Sequence, residues 1–140
     1  MKNVHSSSVE LDGKAVLIKG KSGSGKSELS LKLIMLGAKL IADDQTRLFI
    51  QNNQVYVCAP QALPPGIEIR GIGIVNVPQT KKAQLQLVVD LDHNEKKRFP
   101  NPDSTVLNIL GYSFPFYFFK GIREPANAIY AMLKFGIVKL

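Results

Sequence analysis

The sequence predicts an α/β domain with a mixed central sheet, and three observations carry that prediction. An apolar run, Ala15-Val16-Leu17-Ile18, leads directly into Gly20-Lys21-Ser22-Gly23-Ser24-Gly25-Lys26-Ser27. Apolar residues at near-helical spacing follow (Leu29, Leu31, Leu33, Ile34, Leu36), Gly37 stops them, and a second apolar run occupies residues 38–42. Short β-branched and aromatic runs, separated by Asn, Gly and Pro turns, fill most of the rest. Strand, loop, helix and strand in that order read as a βαβ unit, while tight turns between neighbouring strands add antiparallel pairs.

In chain order, residues 4–11 predict a strand that Asp12-Gly13 turns tightly into a second strand over 14–19. A helix of about three turns should run from Lys26 to Leu36. The strand over 38–42 ends in the paired acids Asp43 and Asp44. Leu48-Phe49-Ile50 and Val55-Tyr56-Val57 flank Asn52-Asn53, a pair that tolerates left-handed backbone, so a hairpin is expected there. Residues 59–66 carry Pro60, Pro64 and Pro65 and should form a loop. Residues 67–77 and 85–89 read as strands, and the polar stretch 90–104, with Pro100 and Pro102, as an exposed connection. The aromatic run 114–119 contains Pro115, which suggests an edge strand. A final helix should begin near Glu124-Pro125, with Ile129, Met132 and Leu133 as its apolar stripe.

Size and charge narrow the function classes. A chain of 140 residues with 45% hydrophobic content is expected to be a single domain, residues 1–140, that needs no disulfide. The one cysteine, Cys58, lies in a Val-Tyr-Val-Cys strand pattern, reads as a core residue and agrees with a reducing compartment. The net charge of +7 could serve nucleic acid, but the basic residues are scattered apart from Lys81-Lys82 and Lys96-Lys97-Arg98, without interleaved aromatics. No nucleic-acid partner is therefore expected. No apolar run reaches the roughly 18 residues that span a bilayer, and Ser6-Ser7-Ser8 after His5 leaves no hydrophobic signal core. The expected setting is cytoplasmic, with no membrane partner.

The Gly20 to Ser27 run satisfies G-x-x-x-x-G-K-[ST] at every required position and stands between a strand and a helix. Its glycines let the loop curl so that the backbone N–H groups of Gly20, Lys21, Ser22, Gly23, Ser24 and Gly25 can turn toward phosphate oxygens. Lys26 is placed to reach the β and γ phosphates, Ser27 to ligate Mg2+, and the helix N-terminus adds its positive end. The run predicts a bound nucleotide with Mg2+ and says nothing of its fate.

The acids say more. Asp43 and Asp44 lie 17 and 18 residues after Lys26, at the carboxyl end of a strand, where open α/β sheets keep their ligand crevice. Adjacent strand residues point to opposite sides, so one carboxylate can act as base toward an attacking hydroxyl while the other turns to metal. Spacing alone does not say which does which; both are candidate catalytic residues, with Lys26 and His5. Glu68-Ile69-Arg70-Gly71-Ile72-Gly73-Ile74 forms a second cluster, in which Glu68 and Arg70 share a face if the segment is extended. His93 stands among Asp92, Asn94 and Glu95 and receives no role. With no His/Cys ligand set, magnesium is the metal implied.

Together these pieces resemble the C-terminal catalytic domain of bifunctional HPr kinase/phosphorylase. The resemblance is carried by Gly20 to Ser27 with Glu28 following, by Leu40-Ile41-Ala42-Asp43-Asp44, by Glu68-Ile69-Arg70-Gly71-Ile72-Gly73-Ile74-Val75-Asn76-Val77, and by His5 placed 21 residues before Lys26. It covers residues 4–92 well and the last third poorly. It implies a phosphate-loop fold of the HPr kinase/PEP carboxykinase kind and an ATP- and Mg2+-dependent kinase acting on a serine of HPr, the small phosphocarrier protein of the sugar phosphotransferase system. It further implies that the same pocket, with inorganic phosphate, dephosphorylates seryl-phosphorylated HPr and releases pyrophosphate. By the resemblance Ser27, Asp44 and Glu68 belong to the metal site, His5 assists the acid/base aspartate, and the assembly is a hexamer. Two departures stand out. The chain starts almost at His5, so the family's separate N-terminal domain is expected to be absent, and Pro78-Gln79-Thr80-Lys81-Lys82 replaces a longer Gly-rich continuation. Arg123 is the one nearby candidate for a later arginine of the family. The competing readings are a small-molecule kinase on the same loop architecture and a nucleotide-sensing module without turnover.

Overall fold

The computed structural model describes residues 1–60 and 66–138. Eleven strands and two helices are present among them: β1 Lys2–Val4, β2 Ser6–Leu11, β3 Lys14–Lys19, α1 Lys26–Met35, β4 Lys39–Ala42, β5 Thr46–Gln51, β6 Gln54–Cys58, β7 Ile67–Ile69, β8 Gly73–Val75, β9 Lys82–Asp90, β10 Val106–Ile109, β11 Tyr112–Phe118 and α2 Pro125–Phe135. The main sheet runs β1-β5-β6-β9-β3-β2-β4, and β11 joins it along β9 while also pairing β10. β3 and β9 are parallel, as are β9 and β11, and the other pairs of this sheet are antiparallel. The mixed α/β sheet is as expected.

Alternation along β3 divides the interior into two cores. Val16 and Ile18 face α1 and α2, joining Leu29, Leu33, Ile129 and Leu133, whereas Ala15 and Leu17 face the curled half of the sheet with Leu48, Val55 and Val57. On β9 this parity reverses midway: Ala83 and Leu85 lie on the curled side, and so does Val88, while Leu87 and Val89 face the helices. A bulge explains the switch, because Ala15 pairs with Leu85 and Val16 with Leu87, leaving Gln86 as the extra residue.

Several expectations need correction. The strand expected over 4–11 breaks at His5, so that β1 pairs with β5 and β2 pairs with β3 and β4. The β3-α1-β4 unit is not a simple parallel pair, since β2 lies between β3 and β4, antiparallel to both. Residues 67–77 are not one strand. They fold into the β7-β8 hairpin, a separate two-stranded sheet whose turn uses left-handed Gly71, φ 86°. The edge expected over 114–119 holds one side at a time: Tyr112 to Pro115 pair β10 on one side, and Phe116 to Phe118 pair β9 on the other. Phe116 N–H donates to Thr105 O, and Phe119 N–H donates to Asp90 O on the other side. Pro115 has the parity of Phe119, so its missing donor falls on the β9 side just before that ladder begins at Phe116. Cys58 is half-buried rather than core, because it alternates with the buried Val55 and Val57. The Asp12-Gly13 and Asn52-Asn53 turns form as expected, all four residues at positive φ. Most of the loop expected over 59–66 lies outside the described residues.

Candidate functional site

The carboxyl ends of β3, β4, β9 and β11 all point to one edge of the sheet, since β4 and β3 are each antiparallel to β2 and β9 and β11 are parallel to β3. That edge therefore collects the glycine loop, Asp43-Asp44, Leu91-Asp92 and the 119–124 turn. Residues 20–25 form the loop, with Gly23 at φ 85° and Gly25, the N-cap of α1, at φ 101°. A Cβ on Gly20 would stand 2.3 Å from Ser24 Oγ and 3.0 Å from Ser24 Cβ, so any side chain there would displace Ser24. Lys26 is 6% exposed and donates from Nζ to the carbonyls of Gly20 (2.7 Å) and Lys21 (3.2 Å), spanning the inside of the loop. Lys21 N–H donates to Asp92 Oδ2 at 2.9 Å, which ties the loop to the end of β9. Ser24 Oγ is buried without a partner, a hydroxyl held inside the loop with its hydrogen-bonding capacity unused.

The two adjacent acids are held by different groups. Asp43 Oδ1 accepts from Ser27 Oγ at 2.8 Å and from Ser7 Oγ at 3.0 Å. Ser7 Oγ in turn accepts from the Asp44 backbone N–H at 3.1 Å. Asp44 Oδ1 lies 2.6 Å from His5 Nε2, with the two side chains 61% and 42% exposed. The local backbone creates this split. A bulge at Ile41 interrupts the β2-β4 register, pairing Ser8 with Ala42 and Val9 with Leu40, and Asp44 takes a left-handed φ of 69°. Asp43 is thereby turned inward beneath α1 and Asp44 outward toward the β1-β2 break.

Ser27, Asp43, Asp44 and Glu68 line one cavity of about 520 Å³, with Gln79 and Ile74 on its far wall. His5 reaches the cavity through Asp44, and Lys26 lies under the adjoining loop. Arg70 and Arg123 do not line it: Arg70 sits exposed at the β7-β8 turn and Arg123 exposed before α2. With the hairpin in place of one long strand, the expected Glu68/Arg70 face does not form. His93 contacts Asp90 at 3.1 Å through Nδ1 and packs against Phe118. Ser7 went unrecognised in the sequence. Its signal was a triple serine inside a strand whose neighbours are buried; Ser6, Ser7 and Ser8 are all 1% exposed or less.

The oxygen atoms fit a hard divalent cation. Ser27 Oγ and Asp43 Oδ1 lie side by side, 2.8 Å apart, on the cavity wall, and among the described residues no group of three His, Cys, Asp or Glu side chains could hold an ion unaided. Magnesium asks for no such cage, because it keeps waters and takes phosphate oxygens beside one or two carboxylates.

Comparison with known proteins bears on the fold and the family together. The family model described as HPr Serine kinase C-terminal domain matches residues 1–113. The HPr kinase/phosphorylase of Limosilactobacillus reuteri is 47% identical over 77 residues, covering 54% of this chain and 24% of that protein. The Enterococcus faecalis HPr kinase/phosphorylase is 43% identical over 104 residues, covering 69% of this chain and 33% of that protein. The chain thus spans about a quarter to a third of the length of these curated relatives. Among solved structures, the Hpr(Ser) kinase/phosphatase from Coxiella burnetii superimposes with a TM-score of 0.79 at 30% identity, over 96% of this chain and 89% of that one. With a matching model over most of its length and a solved relative that agrees in both sequence and fold, this chain belongs to the HPr serine kinase C-terminal domain family.

Proposed function

We propose that this domain is an ATP- and Mg2+-dependent serine kinase that phosphorylates HPr, and that with inorganic phosphate it also dephosphorylates seryl-phosphorylated HPr. The observation that carries the reading is the division of the acid pair: Asp43 bonded to the loop serine, Asp44 bonded to His5, both on one cavity. In phosphate-loop enzymes the loop Ser/Thr and an aspartate from a neighbouring strand hold the metal, and a separate group manages the proton. Ser27 and Asp43 would hold Mg2+ here, with Glu68 across the cavity, and the ion supplies charge neutralisation on the β and γ phosphates. The assignment moves Asp44 out of the metal set expected from the sequence and makes it the base.

In the forward direction the HPr serine oxygen forms a bond to the γ phosphorus, the bond to the β-phosphate oxygen breaks, and ADP leaves. Asp44 accepts the proton of the serine hydroxyl, and His5, at 2.6 Å, orients its carboxylate and can receive that proton. Lys26 leaves the loop carbonyls to meet the phosphates, and the loop N–H groups orient them. In the reverse direction inorganic phosphate attacks the seryl phosphate, pyrophosphate forms, and Asp44 returns a proton to the serine oxygen. A cytoplasmic setting, where ATP and HPr meet, and a hexameric assembly belong to the same reading.

The test is incubation with ATP, Mg2+ and HPr at stoichiometric enzyme, followed by mass spectrometry of HPr. One phosphoseryl group per HPr is expected. ATP binding without any seryl phosphate would replace the kinase with a nucleotide-sensing module.

A further inference from the structure

We propose that the nucleoside half of the donor lies on the flank of the phosphate loop opposite Asp43 and Asp44, in a groove between the first turn of α1, the end of β9 and the turn that follows β11. The inference rests on the reading that this loop binds a nucleoside triphosphate. Topology supplies the first argument. Along the site edge the order is β4, β2, β3, β9, β11, with the loop at the end of β3. The Ser27-Asp43 contact fixes the γ end on the β4 side. A triphosphate lying along the loop then leaves it on the β9 and β11 side.

A groove of about 270 Å³ lies at that exit, lined on one side by Ser24, Gly25 and Glu28 and on the other by Leu91, Ile122 and Pro125. Ile122 is 40% exposed and gives an apolar surface for a purine ring, while Glu28 offers acceptor oxygens to ribose hydroxyls. The unpartnered Ser24 Oγ sits where loop and groove meet.

The wall is built rather than loose. Asn94 Nδ2 donates to Lys120 O at 3.0 Å, Lys120 N–H to His93 O at 3.1 Å, and Ile122 N–H to Phe119 O at 3.1 Å. Gly121 closes this turn at φ +88°, and a Cβ there would stand 2.9 Å from Asn94 Nδ2. The groove shares Phe119, Lys120, Gly121 and Ile122 with a neighbouring cavity of about 430 Å³, which leaves room for the base beyond the ribose.

Titration calorimetry with ATP and with inorganic tripolyphosphate, both with Mg2+, separates the nucleoside from the phosphates. Wild type should bind ATP at least about tenfold more tightly than tripolyphosphate. Ile122→Trp, whose indole fills the groove, should bring ATP down to the level of tripolyphosphate, and Ile122→Ala should weaken ATP about threefold or more. Unchanged tripolyphosphate binding in both variants certifies the fold. Equal affinity of wild type for the two ligands, or an ATP preference that survives both substitutions, would overturn the groove while leaving the loop reading intact. Binding of neither ligand by wild type would overturn the loop reading and the groove with it.

Discussion

The two flanks of the phosphate loop are built from different materials. On the β4 flank, side-chain hydrogen bonds of 2.6 to 3.0 Å join His5 to Asp44 and Ser7 and Ser27 to Asp43, and the Asp44 backbone N–H on Ser7 Oγ links the two groups. On the β9 and β11 flank the loop is held mainly through backbone atoms: Lys21 N–H on Asp92, Leu91 N–H on Lys19 O, Lys120 N–H on His93 O. Polar side chains converge where charge and protons must be handled, and backbone turns with apolar walls form where a ring has only to be accommodated. The difference teaches that substitutions on the first flank should change the rate of the proposed phosphoryl transfer, and those on the second the affinity.

The largest loss should come at the point common to both flanks. Lys26→Ala should reduce phosphoseryl-HPr formation by about 10³-fold or more, because no other side chain can replace the ammonium inside the loop. Asp44→Asn should come next, lowering the single-turnover rate by about 10²- to 10⁴-fold with ATP affinity unchanged, which separates proton transfer from binding. Ser7→Ala removes the hydroxyl that donates to Asp43 and accepts from Asp44 N–H. Its cost should be about 1–3 kcal/mol in denaturant unfolding, with kcat falling while KM for ATP stays near its wild-type value. His5→Gln keeps a hydrogen bond to Asp44 but cannot take up the proton that Asp44 accepts, so the single-turnover rate should fall about tenfold with ATP affinity unchanged. The smallest effect lies far from either flank. Burial pushes the Cys58 thiol up, against the opposing pull of Arg47 and Lys82. Its thiolate fraction at neutral pH is then below that of a free thiol, so iodoacetamide should label it more slowly than free cysteine and approach the free rate as pH rises.

The sequence made the loop, α1, the two tight turns and the acids that meet the loop serine and His5 legible, because each depends on local chemistry: glycines for left-handed backbone, a lysine and serine at fixed offsets, acids at a strand end. What it left hidden depends on pairing partners. Nothing local states that β2 lies between β3 and β4, so Ser7 could not be brought beside Asp43. Nothing in the alternation of 67–77 forces the chain to turn at Gly71, since a glycine serves equally as an extended residue. Pro115 marks an open side through its missing donor, but nothing local states that the strand changes partners at that residue. The roles of Asp43 and Asp44 were left open because strand alternation predicts only that they diverge. The bulge at Ile41 and the positive φ of Asp44 decide what each one meets.

The central claim is that neighbouring carboxylates divide the labour, Asp43 with the metal and Asp44 with the proton. Single-turnover phosphorylation of HPr by Asp43→Asn and Asp44→Asn, each titrated with Mg2+, tests it directly. The account predicts that Asp43→Asn needs about 10- to 100-fold more Mg2+ but recovers much of its rate, whereas Asp44→Asn stays slow at every Mg2+ concentration. Recovery of Asp44→Asn by Mg2+, with Asp43→Asn remaining slow, would contradict it.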